Sequence, residues 1–439
     1  VAKKFKVGGL FPPAEDIERL AKYERSKAVY EGRRLMNNRV SELLRDTPLE
    51  PQLAKLNVAV NVMDTLISKP ADVIAGSTIS FKVEGANEST VQTALDRMIR
   101  KNHMNRLIHE MVTGSGIRGD SWLKVSYGVA EELGGLIEDG LTQPNLKPDA
   151  IIEFAEASSV YPEGGRHNKN KFRAINLTCL ESVASGNEEV NYLHVERHLP
   201  GYIQYEKFKL ERIGKEDSYG VSMSIYSISE QVPTGRDEDI VPTGANGLLV
   251  FHIPYKTVDD DWRGIGGIEK SESILGAIHD RLSHIDYVLW KHSDPIAYGP
   301  NDLEDGLGTK ELRISGKYIP LSKDDPLPGY MKWESQLKDA FEELDTLLSL
   351  LFMQSDFPEW LYAKSLGNQA AIDGESLKTL LLPWYSKLNR ICMHLERALQ
   401  EALYTAMVLD NTANEGVAGF VSYTPQYPVI QWGHMQLIK

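Results

Sequence analysis

The spacing of apolar positions changes along the chain, and each change marks a different kind of element. Ile268, Ser271, Leu275, Ile278, Leu282, Ile285 and Leu289 recur at alternating steps of three and four, and Trp333, Leu337, Ala340, Leu344, Leu347 and Leu351 do the same. A seven-residue period predicts long helices packed side by side at a shallow angle. At the rise of an α-helix, residues 268–292 span about 35 Å. Between residues 150 and 256 the period shortens to two, in runs such as "KFRAINLTCL", "NYLHVERHL", "GYIQYEKFKLERI" and "VSMSIYSIS" separated by turn signals. That alternation predicts an antiparallel β module.

The flanks read as helices and short strands. Residues 14–45 are charged, Pro-free and only loosely periodic, the pattern of an exposed or partner-facing helix. A helix over 54–76 leads to a strand in "STISFKVEG", a second helix over 89–113 starts at a Ser/Thr cap, and "GSGIRGDSWLKVSYG" reads as a turn into a strand. After the first heptad helix, residues 293–332 are rich in Gly, Pro and Asp and hold at most two short strands, "ELRIS" and "KYIPL". An irregular loop follows the second heptad helix. A third long helix then covers about 374–409, with Pro383 inside it, which predicts a kink near Thr379 to Leu382 because proline removes a donor and clashes with the preceding turn. "GFVSYTPQYPVIQWG" closes as a returning strand. The fold class is therefore α+β.

Composition narrows the chemistry. Of 439 residues, 42% are hydrophobic and 25% charged, with a net charge of -14. That balance argues against gripping nucleic acid through many neutralised phosphates. The two cysteines, Cys179 and Cys392, are far apart and lie in no metal or disulfide pattern, which fits a reducing compartment. Neither a signal peptide nor eighteen consecutive apolar residues occur.

Three local patterns invite functional readings. Gly264, Gly266 and Gly267 follow the apolar run "GLLVFHIPY" and precede a helix, but a dinucleotide loop requires a third spaced glycine and a P-loop requires GK[ST]. A tightly turning lead-in to the helix is the better reading. His194, Glu196 and His198 share one face of a strand, more in keeping with a polar sheet face than with a metal site. Asp259, Asp260 and Asp261 in "TVDDDW" would hold a divalent cation only if the chain were a metal-dependent nucleotide or nucleic-acid enzyme; a solvated acidic loop is the simpler reading. The loop 354–373 combines Trp360, Tyr362, Lys364, Asn368 and Gln369, groups suited to glancing contact with a polyanion or to packing between subunits.

Taken together, the stretches "LNVAVNVMDTLISKPADVIAGSTISF", "GIRGDSWLKVSY", "SVYPEGG", "GIGGIEKSESILGAIHDRLSHIDYVLWKHSDP" and "GNQAAIDGESLKTLLLPW", in this order, resemble the tailed-bacteriophage portal proteins over nearly the whole chain. The resemblance implies a portal fold with a wing over 1–265, a stem helix over 266–292, a clip over 293–332, a second stem helix over 333–353 and a tunnel loop over 354–373. A kinked wing helix over 374–409 and a C-terminal strand over 410–439 follow, with the crown absent or cut short. It implies a non-enzymatic head-to-tail connector in the virion, assembled in the host cytoplasm: a homododecameric ring at one capsid vertex that passes double-stranded DNA during packaging and ejection. Trp360, Tyr362, Lys364, Asn368 and Gln369 would face DNA. Asp302, Glu304, Asp305, Lys310, Arg313 and Lys317 of the clip would dock the terminase large subunit and then head-tail adaptors. Major capsid and scaffolding proteins are the further partners; no cofactor, metal or membrane is implied. A cytoplasmic coiled-coil scaffold is the alternative that the heptads leave open.

Overall fold

The computed structural model describes residues 3–33, 58, 60–83, 90–129, 147–165, 168, 171–185, 188–259, 261–292, 297–300, 318–321, 329–330, 337–358 and 374–433. The fold is mixed α+β and divides into two compact units. The first comprises Val1–Glu31, Asn61–Lys270 and Ser355–Lys439, and the second Gly32–Val60 and Ser271–Gln354.

The first unit is built around a sheet of seven strands among the described residues. These are β1 (Leu10–Phe11), β5 (Val160–Gly164), β6 (Phe172–Ser185), β7 (Glu188–Leu199), β8 (Tyr202–Ser218), β9 (Val221–Val232) and β10 (Ile240–Pro242), in the order β1-β9-β8-β7-β6-β5 with β10 beside β8. The period-two runs form these strands as expected, because alternate residues such as Leu193 and Val195 of β7 and Phe208 and Leu210 of β8 turn inward. With Phe5, Phe11, Tyr23, Trp122 and Tyr161 they make one buried cluster. Tyr23 comes from α1 (Ala14–Tyr30), whose described helix ends well short of residue 45.

A second sheet of this unit joins β11 (Val250–Pro254), β3 (Asp120–Gly128) and β4 (Asp149–Ala155) in the order β11-β3-β4. Two helices pack on it: α4 (Met104–Arg118) and the forty-residue α7 (Gly374–Ala413). α7 contributes Leu388, Ile391, Leu395, Leu399, Ala402 and Leu403 to the core, and Pro383 lies inside it on an exposed turn. α2 (Val62–Gly76) packs on α4, and β2 (Ile79–Lys82) pairs with β15 (Val429–Trp432), the returning strand that the C-terminal pattern predicts.

Two expectations are corrected here. The helix expected over 89–113 is two helices, α3 (Thr90–Lys101) and α4, separated by His103 in the left-handed region at φ 47°. Asn102 explains the break: its amide donates to Met98 O and Ala150 O and accepts from Ile152 N at 2.8 Å, fastening the helix end to β4. The turn expected over "GSGIRG" shrinks to Gly119, because α4 runs through Gly114 and Gly116 to Arg118. A side chain at Gly116 would press on Ile67 Cγ2 at 3.0 Å, so these glycines let α2 and α4 approach rather than end the helix.

The second unit contains α5 (Glu272–His292) and α6 (Leu337–Gln354), packed on each other. It also carries a small sheet in which β12 (Ala297–Pro300) runs parallel to β13 (Tyr318–Leu321) and antiparallel to β14 (Gly329–Tyr330). Among the described residues three short strands thus stand where at most two were expected: "KYIPL" supplies β13, and "ELRIS" lies outside the described residues. "AYGP" looks like turn punctuation, yet its proline falls on the last strand position, where a missing donor is tolerated. The seam also starts later than the spacing implies: Ile268 and Ser271 are buried but precede α5, and Ile268 belongs to the first unit. Leu275, Ile278, Ile285, Leu344 and Leu351 are buried, Leu282, Leu337 and Leu347 half-buried, and Leu289 is exposed. Arg281 pairs with Glu343 between the two helices.

Candidate functional site

The glycine-rich lead-in to α5 answers the question its sequence raises. The amide of Gly264 donates to Asp120 Oδ1 at 2.7 Å, that of Ile265 to Lys256 O at 2.8 Å and that of Gly267 to Gly116 O at 2.8 Å. Amides already committed to protein acceptors offer nothing to a phosphate. The glycines serve close backbone approach instead: a Cβ on Gly266 would meet Ile117 O at 2.9 Å, and one on Gly264 would overlap Gly119 O.

Asp120, the acceptor at the centre of this crossing, is a residue the sequence did not single out. Its buried carboxylate also accepts from the Tyr23 hydroxyl and meets His252 Nε2 at 2.6 Å. Burial and the neighbouring carboxylate raise the Tyr23 pKa well above the ordinary value, so the hydroxyl remains a donor. His252 lies 4.4 Å from the Trp122 ring, and Trp262 packs edge-on against His252 and tilted against Trp122. This is a structural clamp that ties α1, β3, β11 and the glycine loop together. The neighbouring cleft, about 130 Å³, is lined by charges already engaged: Lys22 with Glu18 and Glu269, Arg263 with Asp261, and Arg19 with Asp16.

The other chemical candidates resolve into ion pairs. Asp261 holds Arg263 at 2.6 Å, Asp259 is exposed, and Asp260 lies outside the described residues. On β7, His194 bonds to Glu181 at 2.7 Å. Glu196 pairs with Lys124 at 3.0 Å and lies 3.5 Å from His198 Nε2. Against the upward push of burial, those two neighbours bring the Glu196 pKa down to about 2. Among the described residues no group of three or more His, Cys, Asp or Glu side chains is arranged to hold a metal ion. Cys179 is exposed, whereas Cys392 is buried and its thiol pKa is pushed up by desolvation.

Trp360, Tyr362, Lys364, Asn368 and Gln369 lie outside the described residues, as do Asp302, Glu304, Asp305, Lys310, Arg313 and Lys317. What the structure does describe is how Ser355–Phe357, just before residues 359–373, packs against α7. Asp356 adopts φ 50°, Phe357 packs edge-on against Trp384 at 4.9 Å, and Arg390 reaches Asp356 at 3.4 Å. Between them Lys387, 3% exposed, donates to Ser355 O at 2.8 Å. Desolvation, opposed by Asp356 and reinforced by Arg390, lowers its pKa from 10.5 to about 8. Helical phase alone would have flagged it, since Lys387 sits on the stripe of Trp384, Leu388, Ile391 and Leu395.

Between pH 8 and 10.5 the unfolded chain binds more protons at this lysine than the folded one, so stability rises with pH across that window; below pH 8 the cost is constant. Lys387→Met removes a burial cost of roughly 3 kcal/mol at pH 7 and gives back part of it by orphaning Ser355 O, a net gain of roughly 1 kcal/mol. Denaturant unfolding at pH 7, 8, 9 and 10 checks this: the variant loses the Lys387 share of the rise between pH 8 and 10, and an unaltered profile refutes the assignment.

No helix among the described residues is long and apolar enough to cross a membrane. No family model matches the chain, and no curated protein matches it. Among solved structures it is similar to a chain of the virion of a native gene transfer agent particle, with 11% identity and a TM-score of 0.40 over 86% of this chain and 92% of the other.

Proposed function

We propose that this chain is a ring subunit of the portal type, a non-enzymatic conduit for double-stranded DNA at one vertex of a capsid. The observation that carries the reading is the helical pair of the second unit. α5 and α6 bury Leu275, Ile278, Leu344 and Leu351, yet Leu289 stays 50% exposed on α5, and Phe341, Leu350 and Met353 stay 48%, 41% and 70% exposed on α6. Apolar side chains on several sides of a helix require more than one packing partner. Repeating a two-helix element around a closing rotation supplies one on each side.

The order of sequence elements supports the same reading, and so does the charge. A net charge of -14 suits a wall along which DNA slides without condensing. In this reading residues 354–373, with Trp360, Tyr362, Lys364, Asn368 and Gln369, approach the DNA. Residues 293–332 dock the packaging motor and later the adaptors. Native mass spectrometry with negative-stain imaging tests it: the expected result is a closed assembly of many copies with a central hole. A chain that remains a dimer across the micromolar range overturns the ring and favours the coiled-coil scaffold.

A further inference from the structure

Among the described residues, the large sheet of the first unit ends in two open edges that lie on the same rows. Cys179 of β6 stands beside His194, Lys207 and Val232 across β7, β8 and β9; Leu180 beside Leu193, Phe208 and Gln231; and Glu181 beside Tyr192, Lys209 and Glu230. β5 pairs with β6 only as far as Leu177, and β1 pairs with β9 only at Tyr226 and Ser227, with Gly8 and Gly9 extending that contact to Ile228. Among the described residues, therefore, no strand pairs with the outer side of Cys179–Ser185 on β6 or of Glu230–Val232 on β9.

An open edge is a template for another strand, and monomeric proteins blunt such edges with lysine, proline or a covering element. Residues 179–185, "CLESVAS", contain neither lysine nor proline, and those described are exposed, including Leu180 at 48% and Val183 at 41%. Leu180 shares its row and face with Leu193, which is fully buried, so the core face runs out to this edge unfinished.

We propose that the β6 edge of one copy of this chain pairs with the β9 edge of the next, so that the sheet continues across the subunit boundary. β6 to β9 are successive antiparallel strands, so β6 and β9 run in opposite directions. A neighbour's β9 set beside β6 repeats the antiparallel geometry of every joint between them. Two different edges meeting head to tail make a heterologous contact, the kind that a closed ring needs. The register is constrained as well. Setting row against row would place Glu181 opposite Glu230, and like charges directly opposite repel. A shift of two residues places Glu181 opposite Val232, Ser182 opposite Gln231 and Val183 opposite Glu230, and keeps side chains on their own faces.

This inference rests on the ring reading, and the experiment separates the two. In a Cys179→Ser background, Val183→Cys and Glu230→Cys are introduced together and singly, and the assembled protein is treated with a short thiol-specific cross-linker. Cys392 is 1% exposed and stays silent. The double variant should give a ladder of covalent multimers on denaturing gels and each single variant none. A closed ring by native mass spectrometry with no ladder overturns the edge pairing while leaving the ring intact. Covalent dimers from Val183→Cys alone mean that β6 pairs with itself about a two-fold axis, which overturns the pairing. A chain that never assembles removes both.

Discussion

Asp120→Ala lowers the unfolding free energy by roughly 4 kcal/mol, seen as a fall in Tm of about 10 °C. The size follows from what the change strands. The Tyr23 hydroxyl, His252 Nε2 and the Gly264 amide all converge on this carboxylate, whose side chain is 0% exposed. All three lose their partner at once, the Tyr23 hydroxyl in a buried place and the other two in partly buried ones. Asp120→Asn retains an acceptor for Gly264, and the Tyr23 oxygen can accept from the new amide, so it should cost about a third as much. Thermal unfolding of both variants distinguishes a clamp from a replaceable polar residue: equal and small effects refute the clamp.

Gly264→Ala should be about as damaging, at roughly 3 kcal/mol or more. The added methyl would overlap the carbonyl oxygen of Gly119 and sit 3.1 Å from Asp120 Oδ1, so backbone rather than a flexible side chain has to yield. Gly119 is the mirror of the same constraint: it sits at φ 94° with Gly264 O and Gly266 N against it. Gly247, whose added methyl would meet nothing within 4 Å, serves as the control and should change stability by less than about 0.5 kcal/mol. A Gly264→Ala variant as stable as Gly247→Ala would mean that the crossing is not tight.

These two positions show what could and could not be read from the sequence. The β module, the heptad pair and the long third helix were legible because hydrophobic period is a local property, repeated many times over. The glycines at 264, 266 and 267 were legible as a tight lead-in, but their partner, Gly119, lies far away in sequence, and no spacing rule connects them. Asp120 was hidden for the same reason: "GDSW" looks like ordinary turn chemistry until β11 brings His252 alongside. The break at Asn102 did carry a signal, since Arg100 and Lys101 followed by Asn form a plausible helix stop, but the apolar period on either side of it outweighed that cue. Lys387 was legible by phase, although a lysine on an apolar stripe usually extends its amine to water.

The position of α7 sets the order in which the first unit can be completed. β3, β4 and β11 are all made by residue 254, yet α7, which packs on them with Leu388, Ile391, Leu395 and Leu399, begins only at residue 374. Synthesis runs from the N-terminus, so while residues 255–373 are being made the nascent chain carries this sheet without its α7 cover, with α4 alone of the two helices in place. Folding of this unit is therefore a late event governed by a contact of long sequence separation. A ribosome-bound chain stopped before α7 is expected to be the aggregation-prone species, and the one a chaperone would have to hold.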